Sequence, residues 1–311
     1  MRNLIPFMVL LAALAGCRRS RDAGMVFVDP ALLTLVPPGT TALAGIRVDT
    51  LTKTPLYQKR LAQSSLPGIG EFVEATGVDP RRDIWQVLAA MDGKSTVIMI
   101  RGKFSEGGIE PRLKIPGASR TSHKGYTITG SETFGVAFLN PTTAVAGRPE
   151  AVKAVLDNRE RSGPSPTLMA QLRTIPHATH MWVVLNGGFP LPRSGGAREG
   201  NWANIEKFAA GLQSLTASAD FSNGLTVRLH GVATGEQEAK QLAAAMKGLI
   251  GLGRLSTPSD RPQLLRAFDA LKVAQEGPQV RLDASLEEPL AEQLLDFVQS
   301  GAASKRLPLG N

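Results

Sequence analysis

The sequence predicts an α+β body of two similar lobes, each an antiparallel sheet covered on one face by helices. Three observations carry this. First, Leu215, Ala217, Ala219 and Phe221 alternate with Thr216, Ser218 and Asp220; after Asn223 and Gly224, Leu225, Val227 and Leu229 alternate with Thr226, Arg228 and His230. Asn-Gly between alternating runs is the strongest local hairpin signal, because both turn positions favour positive φ. One dry and one wet face is the mark of an antiparallel sheet covered on one side. Second, Ala239, Leu242, Ala243, Met246, Leu249 and Ile250 recur at helical spacing over residues 236–250. Third, each half opens on a buried strand (residues 41–48, then 179–185), runs through helices and strands, and closes on a helix; Ser162-Gly163-Pro164-Ser165-Pro166 divides the halves.

The elements follow in order. Val36-Pro37-Pro38-Gly39 is a turn before the first strand. Residues 51–63 read as a helix with Pro55 near its start, and residues 69–76 as a second. Asp79 is placed to cap a helix whose first position is Pro80. Ile84, Val87, Leu88 and Met91 continue that helix at its spacing, with Gly93 as its C-terminal cap. Residues 95–103 are an apolar strand; 126–131, 136–139 and 142–146 are short strands; 149–156 is the closing helix. In the second half, residues 168–172 are a short helix, 187–201 a long glycine-rich loop, and 202–215 a helix before the Asn-Gly hairpin. Gly248, Gly251 and Gly253 terminate the long helix. A helix over 262–271, a hairpin around Glu276-Gly277-Pro278 and a helix over 289–298 complete the chain. The expected domains are 1–16 signal peptide, 17–30 lipidated tether, 31–161 first lobe, 165–300 second lobe and 301–311 flexible tail.

The address comes from the first residues. Arg2 precedes an apolar run, residues 4–14, of signal-peptide length. Spanning a bilayer takes roughly 20 residues, so this run is too short for that. Leu14-Ala15-Gly16-Cys17 resembles the bacterial lipoprotein lipobox. The resemblance implies cleavage after Gly16, a thioether-linked diacylglycerol on Cys17 and acylation of the new amine. Stable anchoring needs two membrane signals, which several chains on one residue supply. Arg18 stands where the inner-membrane retention signal of that family would place Asp, which favours the outer membrane, with the body facing the periplasm. Three further pieces, residues 76–83, 100–104 and 144–152, resemble uncharacterised bacterial lipoproteins, a group that implies location and fold but no activity.

Cys17 is the single cysteine. Once it is lipidated, the body has no thiol for a disulfide, a nucleophile or a metal ligand. The net charge is +8, and outside the cytoplasm it points to anionic lipid headgroups or acidic envelope polymers, with nucleic acid not an expected partner. Arg18, Arg19 and Arg21 in the tether reinforce the lipid reading.

Motifs that would compel a reaction are missing: no Gly-x-Ser-x-Gly, Ser-x-x-Lys, His-Glu-x-x-His or phosphate-binding loop occurs. No cofactor is expected. His177 and His180 are three apart but follow Pro176 and run into a strand, a poor setting for a metal. Asp79 and Asp83 could present paired carboxylates, although Pro80, Arg81 and Arg82 between them argue for a capped, charged first turn. Two loops are the candidate interaction sites: Phe189, Leu191, Arg193 and Arg198 in the glycine-rich loop, and Arg112, Lys114, Arg120 and Lys124 in a basic stretch. The expected function is a non-catalytic, membrane-anchored envelope protein that binds a protein or polymer partner or plays a structural role. The alternatives are a carrier of a lipid or other apolar ligand, and a hydrolase with an unrecognised site.

Overall fold

The computed structural model describes residues 24–62, 69–104, 113, 117–159, 163–187 and 211–304. Helices and strands share the chain, and the strands form one antiparallel sheet rather than two. Among the described residues its twelve strands lie in the order β11-β12-β10-β9-β8-β1-β2-β3-β7-β6-β5-β4. They are β1 Ala42–Arg47, β2 Ile84–Met91, β3 Thr96–Gly102, β4 Ser119–His123, β5 Tyr126–Gly130, β6 Gly135–Asn140, β7 Thr143–Gly147, β8 Met181–Asn186, β9 Leu212–Asp220, β10 Leu225–Ala233, β11 Lys272–Glu276 and β12 Gln279–Leu286. The halves join because the opening strand of each, β1 and β8, pair antiparallel, Ala44 against Val183 and Gly45 against Trp182. From that seam outward, one half reads β1-β2-β3-β7-β6 and the other β8-β9-β10-β12-β11.

The largest core lies on one face of this sheet and the helices of the second half cover the other, where a smaller first-half cluster of Ile84, Phe104 and Ala144 is also buried. In the first half, Leu43, Leu88, Met99 and Val145 point to one face, where α1 (Pro30–Leu33), α5 (Pro149–Asn158) and α6 (Pro166–Leu172) cover them with Leu32, Val152, Val155, Leu168 and Leu172. In the second half, α7 (Glu236–Leu255), α8 (Pro262–Asp269) and α9 (Glu288–Ser304) cover the other face. There Ala239 and Ala243 meet Val280, and Ala291 meets Leu286. The Asn-Gly hairpin forms as expected, β9 against β10, but Gly224 alone carries the positive φ, +85°. A turn with positive φ at both positions joins β4 to β5, at Lys124 (+52°) and Gly125 (+80°).

Several expectations are corrected. Residues 84–91 are strand, not helix: α4 (Pro80–Asp83) is one turn capped by Asp79, and the chain then extends into β2. Gln86, Leu88 and Ala90 alternate inward, and Asp92 turns the chain by accepting from the Lys94 and Ser95 N–H groups. The helix expected over 51–63 is instead α2 (Val48–Leu51) and a π-helical turn, Tyr57–Leu61. The helix expected over 202–215 gives way to β9 from Leu212, residues 202–210 lying outside the described residues. Gly253 does not end α7; it lets the Phe268 ring of α8 sit where a Cβ would stand 2.4 Å away. α3 (Ile69–Thr76) matches its expected span.

Candidate functional site at one end of the sheet

Near the start of the described residues, Val26 and Val28 are buried in the first-half core. The segment 25–29 crosses one end of the sheet and is pinned from both sides. Val26 and Phe27 donate their N–H groups to the Leu172 and His177 carbonyls. On the other side, the buried Gln86 side chain donates from Nε2 to the Phe27 carbonyl (3.0 Å) and accepts from the Asp29 N–H at Oε1 (2.7 Å). A buried amide must spend its donor and acceptor capacity inside the protein. Gln86 spends it holding the incoming chain.

Gln86 is the middle of a cross-strand row. Arg47 of β1 stands opposite it on one side and Arg101 of β3 on the other. Arg101 reaches Asp29 Oδ2 through Nε at 2.8 Å, while its Nη1 donates to Thr142 Oγ1 (2.6 Å) and Thr143 Oγ1 (2.7 Å). Asp29 Oδ1 meanwhile caps α1 by accepting from the Ala31 N–H. Arg47 donates from Nη1 to the His177 carbonyl, and no carboxylate among the described residues pairs with it.

Each arginine lies over an exposed aromatic ring. The Arg47 guanidinium carbon is 5.0 Å from the Phe27 ring centre, and that of Arg101 is 5.8 Å from Trp85. Phe27 is 40% exposed and Trp85 38%. Trp85 is the extra residue of a β-bulge: Ile84 pairs with Gly102 and Gln86 with Arg101, two steps on β2 against one on β3. A bulge re-aims one side chain out of the pleat, and here it turns an indole outward at the end of the sheet that residues 25–29 cross. Sequence reading did not find this cluster. Its signal is the exposed Phe27 and Trp85, which no periodicity marks.

A second feature is an open groove of about 770 Å³ at the far end of the sheet, where β11 stops and the last residues of β12 pair with β10 alone. Arg228, Asp283 and Lys272 line it from one cross-strand row, with Arg266, Asp269 and Glu287 around them. Asp269 is taken up by Arg254 of α7. A smaller groove beside it, about 160 Å³, shares Arg228 and Asp283. The lining is mixed in charge, so this groove suits a polar ligand rather than an acyl chain.

The other candidate residues fall as follows. Asp79 accepts from the Arg81 N–H, and its own N–H donates to Asp83 Oδ2. The Arg82 side chain bonds both oxygens of Asp83, which holds that carboxyl below its ordinary range against the opposing effect of burial. The pair is thus engaged in capping. His180 is buried, and its Nδ1 accepts from the Phe221 N–H at 3.2 Å. That nitrogen also lies 3.5 Å from Asp220, and it cannot accept from one group and donate to the other at once. Arg120 is exposed on β4, and Lys124 sits at the β4–β5 turn 3.9 Å from Asp157, which His123 also contacts at 2.8 Å. Cys17, Arg112, Lys114, Phe189, Leu191, Arg193 and Arg198 lie outside the described residues. Among the described residues there is no metal-holding cluster of His, Cys, Asp and Glu, and no helix long and apolar enough to cross a membrane.

No protein-family model matches the chain, and no curated protein matches it. Among solved structures, crystal forms I, III and IV of TP0453 align with it at 14% identity. They cover 88% of this chain and 98%, 99% and 97% of theirs, with TM-scores of 0.42, 0.45 and 0.43.

Proposed function

We propose that this chain is a cell-envelope lipoprotein, held to the membrane by acylated Cys17, whose body binds a partner or plays a structural role rather than catalysing a reaction. The observation that supports it best is the clamp on residues 25–29. Gln86, Leu172 and His177 fix where the body takes up the chain. Only six residues lie between Cys17 and Gly24, a span of seven Cα-to-Cα steps. At about 3.5 Å per residue, that leash reaches roughly 25 Å. A firmly held departure point on a short leash suits a body that works at a membrane surface.

The body reads as two lobes, each with its main core on a different face of the shared sheet. The common strand order outward from β1 and β8 supports that reading, and the opposite faces set it apart from simple superposition. The capping roles of Asp79 and Asp83 weigh against the hydrolase alternative built on them.

Replacing Cys17 tests the reading. The mature wild-type protein should carry a diacylglycerol mass on its N-terminal cysteine and fractionate with membranes. Cys17→Ser should lack that mass and remain uncleaved, with the same thermal unfolding of the body. A mature protein without the acyl mass would sink the proposal.

Carriage of an apolar ligand is a second reading, favoured by one feature. A cross-strand row on the second face reads Val273, Leu282, Leu229, Ala217, Val183, Ala44, Ala89, Ile98, Ala146 and Val136. Ala44, Ala89, Ile98 and Val183 in its middle are half-buried, not sealed. Native mass spectrometry after exposure to envelope lipids should then show a lipid-bound mass. An unliganded mass alone would reject the carrier.

A further inference from the structure

We propose that the end of the sheet carrying Phe27, Trp85, Arg47 and Arg101 is a headgroup-level docking surface that seats the body directly on an anionic bilayer. The inference rests on the anchored reading above and adds an orientation to it.

The four residues form one surface. Arg47, Gln86 and Arg101 are neighbours in one row across β1, β2 and β3. The segment carrying Phe27 and Asp29 lies over that row through the Gln86 amide and the Asp29–Arg101 ion pair. Both exposed rings therefore stand where the tether joins the body, and anchoring through Cys17 brings that end nearest the lipid.

The chemistry suits the bilayer interface. Aromatic rings are favoured at the level of the headgroups, and arginine stems lie along apolar surface while their heads reach phosphate. Arg47 has the charge to offer: its side chain makes one hydrogen bond, from Nη1 to the His177 carbonyl, and no carboxylate among the described residues neutralises it. Arg101 is different. Asp29, Thr142 and Thr143 take up its donors, so its part is to hold Trp85 in place from above. The bulge at Trp85 strengthens the case. A regular strand would put residue 85 opposite its neighbours on the pleat; the extra residue instead leaves the indole outside the ladder. In the sequence, Arg18, Arg19 and Arg21 shortly precede Phe27. Each basic residue held near an anionic surface adds attraction that salt screens.

The test uses the acylated full-length protein reconstituted into vesicles of phosphatidylglycerol and phosphatidylcholine. A fraction of the lipid carries bromine on the acyl chain near the headgroup. Tryptophan emission is compared between the wild type and Trp85→Phe, with thermal unfolding confirming that the variant is folded. The expected result is a quenched component in the wild type that is lost in Trp85→Phe. Arg47→Gln, or pure phosphatidylcholine vesicles, should weaken that component. Equal quenching in wild type and Trp85→Phe would overturn the docking surface, because Trp85 would then stand away from the lipid. Flotation separates the two readings. A protein that floats with the vesicles but shows no Trp85 quenching refutes the seat alone, whereas a mature protein that lacks the acyl mass and does not float refutes the anchor.

Discussion

Gly45 shows how tightly single residues are committed at the seam. It stands opposite Trp182, and a Cβ there would come within 2.4 Å of the indole ring. The ring is 2% exposed and lies across the glycine. Gly45→Ala should therefore destabilise the body by about 1–3 kcal/mol, the usual cost of forcing extra atoms into a packed core. Urea denaturation measures it, and an unchanged midpoint would contradict the packing. Asp220 gives a pH signature. Burial pushes its carboxyl up, but contact with His180 and hydrogen bonds from Ser222 outweigh that and hold it at about 2. The Ser222 N–H, at 2.7 Å, is its firmest support, since the His180 nitrogen is already accepting from Phe221. A carboxyl with a lowered folded pKa stabilises fully above its unfolded value, near 3.8, and loses that contribution as the pH falls toward 2. Asp220→Asn should flatten the stability profile between those limits and leave its slope near neutrality unchanged, as followed by urea midpoints across the acid range. Neither residue was legible in the sequence. Gly45 read as one more position in a buried strand, and the partners of Asp220 meet it only through the fold.

Elements were legible where local chemistry agreed with tertiary context. The β9–β10 and β11–β12 hairpins, α5 and β3 follow from alternation, turn residues and caps. β2 did not, because Ile84, Val87, Leu88 and Met91 fit a helical stripe while Gln86, Leu88 and Ala90 fit a strand. The one-turn α4 used up the helix signals of Asp79 and Pro80. The decisive cue was Asp92-Gly93, a hairpin turn that also resembles a helix stop. The π-helical turn at Tyr57–Leu61 has a role that sequence alone conceals. Lys59 and Arg60 from it reach Glu288, Glu292 and Asp296 of α9, joining the first half to the closing helix of the second. Glu292 meets both cations. Glu292→Gln should lower the melting temperature at low ionic strength, and the difference from wild type should shrink as salt is added, since exposed ion pairs are screened. A salt-independent loss would mean that packing of α9, not charge, was disturbed.

Across the whole molecule the sheet is most secure at its centre and least at its ends. β1 is buried between β2 and β8, whereas the terminal strands are short and polar: β4 reads Ser119, Arg120, Thr121 and Ser122, all exposed, and β11 carries Lys272 and Glu276. Such ends resist adding further strands. Hydrogen exchange should therefore find the amides of β1, β2 and β8 the slowest and those of β4 and β11 among the first to exchange. Early exchange at β1 would show that the halves open along the seam before their edges fray. The continuity of the sheet was not legible in advance, because pairing of β1 with β8 depends on two strands more than a hundred residues apart that carry no turn signal between them.

That seam has a consequence for assembly. β1 and β8 are each an inner strand only because the other half is present. Separated from the other, either half would present a bare, apolar, unblunted strand edge, unlike the guarded ends at β4 and β11. An antiparallel edge of this kind can be satisfied by a second copy of itself about a two-fold axis. A half expressed alone would gain its missing neighbour by self-association, and two intact chains could exchange halves across the same seam without inventing a new interface.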